Sequence, residues 1–396
     1  MSELALMGGN PVRKSLLPYG RQSISQDDIN AVITILKGEF LTTGPSVKQF
    51  EEKVANYVGS RYAVAVSNGT AALHMACFAA GITLGDEVIV SPMTFAASVN
   101  CVLYCGGKPI FADIDPKTLN IDPDKIQSKI TSRTKAIIPV DFTGQSVDIE
   151  KIMNIAREHN LIVIEDAAHA LGSEFKSKKI GAISDMTMFS FHPVKPITTG
   201  EGGIITTDNH ELYNRMIQFR THGICRNPEQ MGSYDGPWYY EQQILGFNYR
   251  LTDIQCVLGS SQMDRIDSFI QRRREIAKSY NIAFKEIQQI ITPYEAEYSN
   301  SGWHLYVISL VLDSLNATRK DIFQALLAEN IGVNVHYIPV YFHPYYKRLG
   351  YQVGECPNAE YAYQRIITLP LFPSMSNSDI NDVIEAVKKV INYFKK

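Results

Sequence analysis

One lysine in this chain of 396 residues is braced by prolines. In "SFHPVKPITTGEGG", Ser190 to Gly203, Pro193 and Pro196 stiffen the backbone around Lys195 and remove two amide donors. A lysine on a solvated face sits among charges and strong helix formers, whereas this one lies between an apolar run and a glycine-rich turn. An amine held in that way suits Schiff-base formation with a carbonyl, which is covalent catalysis. Two further segments carry matching chemistry. In "LIVIEDAAHALG", Asp166 closes an apolar run and His169 follows three residues later. In "SNGTAALHMACFAAG", a turn of small residues opens a helix, so the amides of Gly69, Thr70 and Ala71, the helix dipole and the Thr70 hydroxyl can bind an anion without a basic residue.

Each feature also has a plain structural reading. The small-residue turn is equally an ordinary strand-to-helix connection with Ser67 or Asn68 as N-cap, and Asp166 could cap a following helix. Together they point further. Lys195 supplies the amine, Asp166 a counter-charge for the protonated ring nitrogen of pyridoxal phosphate, and His169 a group near that cofactor's phenolic oxygen. Thr70 and Ser190 offer hydroxyls to its phosphate, and Phe95 in "SPMTFAAS" offers a flat apolar face to its ring. Glu201 is read as ordering the glycine turn rather than as a base.

These residues need strand ends to hold them. From Arg61 to Asp208 short apolar runs alternate with helical patterns, the mark of an α/β domain with a largely parallel sheet. The expected strands are Tyr62–Val66, Glu87–Val90, Lys108–Ala112, Ala136–Pro139, Leu161–Glu165, Thr187–Phe191 and Gly203–Thr207, seven in one sheet. Three of these runs give way to small or polar residues at their C-terminal ends, where open α/β sheets bind ligands. The expected division is an N-terminal arm over 1–37 packing on the smaller domain, a large α/β domain over 38–266, and a small C-terminal α+β domain over 267–396. In the last, "WHLYVISLVL" and "GVNVHYIPV" look strand-like. The aromatic, glycine-rich interval Ile224–Tyr249 is too long for a plain linker and is assigned to a site or a subunit contact.

Bulk composition narrows the class. The formal net charge of -3 gives no basic field for nucleic acid or an anionic membrane. The six cysteines are scattered without a second pair to complete a zinc set, so they are read as reduced core residues and no metal is expected. With no signal-peptide pattern and no run of about 18 apolar residues, a soluble cytoplasmic protein is expected.

The sequence also resembles the DegT/DnrJ/EryC1/StrS sugar aminotransferases, within the fold-type I (aspartate aminotransferase-like) pyridoxal-phosphate enzymes. The resemblance spans nearly the whole chain and rests on "GPSVKQFEEKVANYVGSRYAVAVSNGTAALH", "GDEVIVSPMTFAASVN", "PVDFTGQSVDI", "IEDAAHALGS", "SFHPVKPITTGEGG" and "GFNYRLTDIQ", in that order. It implies a Schiff base at Lys195, where a histidine would mark the family's dehydratases. It also implies L-glutamate as amino donor and a homodimer in which Asn248 reaches the phosphate across the interface. "FHPVKPITTGEGG" and "GFNYRLTDIQCVLGSSQ" are most similar to the pseudaminic-acid pathway members, which aminate C4 of a UDP-linked 4-keto-6-deoxy-N-acetylhexosamine.

For the nucleotide sugar the chain offers candidates and no motif: His192, Arg226, Arg250, His336, Tyr337 and Tyr345, with Trp303 and His304 beside them. Aromatics can stack on uracil and arginines can hold a diphosphate. Another nucleotide-linked keto sugar (a UDP-pentose, a dTDP-hexose, or amination at C3) and a non-catalytic pyridoxal-phosphate regulator are the alternatives. A dinucleotide-binding fold is disfavoured, because "TGEGG" precedes a strand rather than opening a helix.

Overall fold

The computed structural model describes residues 3–396, so the first two residues of the expected arm lie outside it. Seven strands form the main sheet: β1 (Tyr62–Val66), β2 (Glu87–Val90), β3 (Lys108–Phe111), β4 (Thr134–Ile138), β5 (Ile162–Asp166), β6 (Met186–Ser190) and β7 (Gly203–Thr207). They are rich in Val and Ile and almost wholly buried, as strands covered on both faces must be. Their order is β1-β7-β6-β5-β4-β2-β3. Only β7 runs against its neighbours, pairing antiparallel with both β1 and β6. All seven expected strands exist, with ends displaced by no more than two residues.

Helices cover both faces of the sheet. Helix α1 (Gln26–Leu36) is opened by a capping box between Ser25 and Asp28. Helix α2 (Gly69–Ala79) follows β1 and is built of small residues that let it lie close on the sheet, with seven of them alanine, glycine, cysteine or threonine. Helix α3 (Ala97–Tyr104) follows β2, and α4 (Asp253–Met263) leads to α5 (Ile266–Phe284). Helices α6 (Arg319–Ala328) and α7 (Asn377–Phe394) lie in the C-terminal part. Among the described residues no helix is long and apolar enough to cross a membrane.

A separate core lies in the C-terminal part, where β8 (Ile290–Ile291), β9 (Tyr306–Leu310) and β10 (Ile366–Leu369) form an antiparallel sheet. Helix α5 belongs to both halves. Its Phe269 and Ile270 enter the core under the large sheet, and Ile276, Tyr280 and Phe284 enter the C-terminal one. Two expectations need correction. The start of the arm does reach the C-terminal core through Leu4 and Leu17, but α1 packs on α4, where Asp28 accepts from Ser261, Gln262 and Arg265. "GVNVHYIPV" is not a strand. Its backbone pairs with β10 only at Asn334 and Thr368, which exchange hydrogen bonds of 3.1 and 2.8 Å; beyond them His336 Nδ1 lies 2.8 Å from Thr368 Oγ1, and His336 and Tyr337 line a cavity.

Candidate active site

A cavity of about 1020 Å³ opens at the C-terminal ends of the main-sheet strands. Asp166 is the last residue of β5 and Ser190 the last of β6, while Asn68 to Ala71 follow β1 and Phe95 follows β2. Lys195 lies on the loop from β6 to β7, the place that lets an amine approach a ligand from beneath. Its loop is closely tied. The Lys195 amide donates to His192 O (2.9 Å), Thr199 N and Thr198 Oγ1 both bond Phe191 O (3.1 and 3.0 Å), and Gly200 takes a φ of +80° that favours glycine. Glu201 contributes its carbonyl, which accepts from Thr199 Oγ1 (2.6 Å) and Gln255 Nε2 (2.7 Å).

The Lys195 amine is drawn down from its ordinary value of 10.5 to about 8 by desolvation, opposed by the Asp166 carboxylate. Asp166 is 4% exposed and burial pushes its carboxyl up. Three contacts pull the other way: Ser98 Oγ donates to Oδ2 (2.5 Å), Ala168 N donates to Oδ1 (3.1 Å), and Lys195 lies near. No helix follows Asp166, so the capping reading falls. Ser98 was not singled out in the sequence, although it stands one helical turn beyond Thr94, with which it shares a 2.6 Å hydrogen bond.

The cup at the start of α2 is narrower than expected. Asn68 is the N-cap and its Oδ1 takes the Ala71 amide (2.8 Å), so Ala71 lines the cavity but has no free donor. The Gly69 and Thr70 amides keep no acceptor among the described residues. Glycine is required here by close approach. A Cβ on Gly203 of β7 would meet Asn68 O at 2.6 Å and Gly69 N at 2.8 Å, and one on Gly69 would press on Ser190 at 3.3 Å. The free amides, the Thr70 and Ser190 hydroxyls, a buried carboxylate lacking a paired cation and a desolvated lysine amine fit the phosphate, ring nitrogen and aldehyde of pyridoxal phosphate.

His169 lines the cavity with Lys195 and Asp166. It is 4% exposed, and both ring nitrogens are engaged by protein: Thr143 N donates to Nδ1 (3.3 Å) and Nε2 lies 3.0 Å from Tyr337 Oη. Burial, with Lys195 and His336 near, holds the imidazole well below its ordinary range and therefore neutral. Phe95 is 64% exposed at the cavity wall, its ring 6.4 Å from that of Tyr337.

Of the substrate candidates, His192, His336, Tyr337 and His304 line the cavity. Arg226, Arg250, Tyr345 and Trp303 do not. Arg226 lies over Tyr240, its guanidinium carbon 5.0 Å from the ring centre, and Tyr345 is on the surface beside Arg348. Trp303 packs in the C-terminal core. Asn248 is exposed and also absent from this chain's cavity wall. Tyr19, Tyr104, Asn334 and Tyr249 line it without any sequence pattern that would place them there. Lys195 is the one lysine or arginine among the described lining residues, facing Asp166 and Glu201.

Comparison with known proteins gives concordant matches. Residues 22–388 fit the model of the DegT/DnrJ/EryC1/StrS aminotransferase family. The spore coat polysaccharide biosynthesis protein SpsC of Bacillus subtilis is 44% identical over 96% of this chain and 98% of its own. The UDP-4-amino-4,6-dideoxy-N-acetyl-beta-L-altrosamine transaminase of Campylobacter jejuni is 37% identical over 96% and 99%. Among solved structures, Spr1654 of Streptococcus pneumoniae, provisionally called a sugar aminotransferase, superimposes in its PLP-form with a TM-score of 0.88 at 31% identity, covering 96% of this chain and 99% of that one.

Proposed function

The chain belongs to the DegT/DnrJ/EryC1/StrS aminotransferase family, and from that premise we propose that it moves an amino group from L-glutamate to C4 of a UDP-linked 4-keto-6-deoxy-N-acetylhexosamine. It is a pyridoxal-phosphate-dependent sugar aminotransferase of fold-type I architecture. The observation that carries the amino-transfer chemistry is that Lys195, Asp166, the Gly69–Thr70 amides and Ser190 line one cavity. The 37% identity to the altrosamine transaminase supports the choice of sugar.

When bound, pyridoxal phosphate supplies the electron sink that lets an amino group leave one carbon and join another. The chain does the rest. Gly69 and Thr70 amides with the Thr70 and Ser190 hydroxyls hold the phosphate, and Phe95 covers one face of the ring. Asp166, whose carboxyl burial pushes up while Ser98 and the Ala168 amide pull it back, would answer the ring nitrogen's positive charge. Lys195 Nζ first anchors the coenzyme and then, freed, moves the proton at sugar C4. An amine near pKa 8 is suited to this, because catalytic acids and bases work best near the ambient pH.

The nucleotide end calls for cations that one chain does not bring to the cavity. We assign them, with Asn248, to a second copy in a homodimer, with Arg226 on the exposed segment and the half-buried Arg250 just beyond its end, bridged to Val66. His192, His336 and Tyr337 meet the sugar from within the chain. Residues 38–266 then form the coenzyme unit and 267–396 the covering one, in an enzyme of the cytoplasm.

The higher identity to SpsC favours a second reading, another nucleotide-linked keto sugar for a surface polysaccharide. A panel of UDP- and dTDP-linked 4-keto and 3-keto sugars offered with L-glutamate decides between them, with the aminated product identified by NMR. Amination of the UDP-4-keto-6-deoxy sugar at C4 is expected. Failure of every 4-keto-6-deoxy sugar would leave the second reading in its place.

A further inference from the structure

Two observations near the cavity are not explained by coenzyme binding. The first is Thr143, a β-branched residue at φ +64°, in the left-handed region that such residues avoid. Strain of this kind persists only where the surroundings over-determine it. Here they do: Leu305 N donates to Thr143 O (3.1 Å), Thr143 Oγ1 donates to Phe142 O (2.6 Å), and a Cβ on the next residue, Gly144, would meet His169 O at 2.9 Å. The outcome is that the Thr143 amide is aimed at His169 Nδ1 (3.3 Å).

The second is the polarity that this amide imposes. Because Nδ1 accepts the hydrogen bond of the Thr143 amide it cannot itself carry a hydrogen, so a neutral His169 bears its hydrogen on Nε2. Burial above all, with Lys195 and His336 near, opposes a second proton. Nε2–H therefore donates to Tyr337 Oη at 3.0 Å. The tyrosine's own hydrogen must point elsewhere. No other partner of that hydroxyl occurs among the described residues, and Tyr337 lines the cavity with Lys195 and Asp166.

We propose that the Thr143 amide and His169 form a relay that locks the Tyr337 hydroxyl as a hydrogen-bond donor into the cavity, toward an acceptor oxygen of the bound ligand. His169 is then a positioning residue acting through Tyr337. The proposal rests on the reading of this cavity as the coenzyme and sugar site. Two oxygens share the required chemistry, the phenolic oxygen of the coenzyme and a carbonyl or hydroxyl oxygen of the sugar, and the experiment separates them.

The lock is tested first on the protein without added ligand, by imidazole ¹⁵N NMR of His169 assigned through His169→Gln. A neutral Nε2–H ring from pH 6 to 8 is expected; an Nδ1–H or charged ring overturns the relay, whether or not pyridoxal phosphate binds. Tyr337→Phe in the holoenzyme then reads the acceptor. If that is the coenzyme oxygen, the pH midpoint of the visible cofactor band rises, because the deprotonated oxygen loses a donor. If it is the sugar, that midpoint stays and KM for the keto sugar rises about tenfold, the loss expected for one hydrogen bond. A variant that moves neither while keeping its Tm contradicts the proposal. His169→Leu should reproduce the Tyr337→Phe change and His169→Gln, which keeps a donor, should recover at least half of it; equal effects of the two would reduce His169 to a packing residue. A wild-type protein with no visible band on pyridoxal phosphate would instead count against the cavity assignment, a failure distinct from the NMR result.

Discussion

The cavity floor and the Ile224–Tyr249 segment both stand out by residue type, yet they fold in opposite ways. On the floor, Asp166 and Ser190 end strands whose residues are almost all buried, and Asp166 has fixed partners in Ser98 and Ala168. In the segment, a ladder of two residue pairs, Ile224 with Gln242 and Cys225 with Glu241, carries Tyr234, Trp238 and Leu245 into solvent at 56, 69 and 80% exposure. A site at strand ends inherits the rigidity of the sheet, and Lys195, Asp166, Thr70 and Ser190 of the floor all come from one chain. Exposed aromatics beside Arg226 and Asn248 are incomplete alone, which is the reason to assign them to a subunit contact.

The largest expected effect is on the floor. Lys195→Ala should lower turnover by about 10²–10⁴-fold from lost proton transfer alone, measured as aminated sugar per enzyme. Tm should not fall, since the change removes an amine whose charge burial already disfavours. Next comes Asp166→Asn, which keeps shape and removes charge. Pyridoxal-phosphate affinity by equilibrium dialysis should drop about 10- to 100-fold, the worth of a charge-assisted hydrogen bond. If these variants behave like wild type, the floor is only a packed sheet end.

On the other side of the comparison, Arg226→Ala should raise KM for the nucleotide sugar about tenfold and leave the visible cofactor band unchanged. An effect on the band with none on KM would move this residue to the coenzyme and blur the contrast. The smallest effect is a pH dependence. The neutral amine is the form that reacts with an aldehyde, so coenzyme uptake by the cofactor-free protein should rise with pH and level off above about 8, where Lys195 is deprotonated. A rate still climbing beyond 10 would mean an ordinary lysine. The sign for stability follows: with a folded pKa below the ordinary 10.5, the amine's contribution is present above 10.5 and is lost as pH falls through about 8.

The floor was legible because strand, small-residue turn and functional side chain are neighbours in sequence. Lys195, Asp166, Thr70 and Ser190 lie together for that reason. What escaped depends on distant pairings. Ser98 reaches Asp166 across 68 positions, and Tyr337 reaches His169 across 168. Ala71 was misread because a single side chain, Asn68, takes its amide. "GVNVHYIPV" has strand-like alternation, but apart from the Asn334–Thr368 bridge its backbone finds no strand beside it, and its His336 and Tyr337 serve the cavity instead.

The most direct measurement is borohydride reduction of the protein reconstituted with pyridoxal phosphate, followed by peptide mapping. The pyridoxyl label should fall on the peptide containing Lys195, at one per chain. A label on a different lysine, or none, would contradict the account from the floor upward.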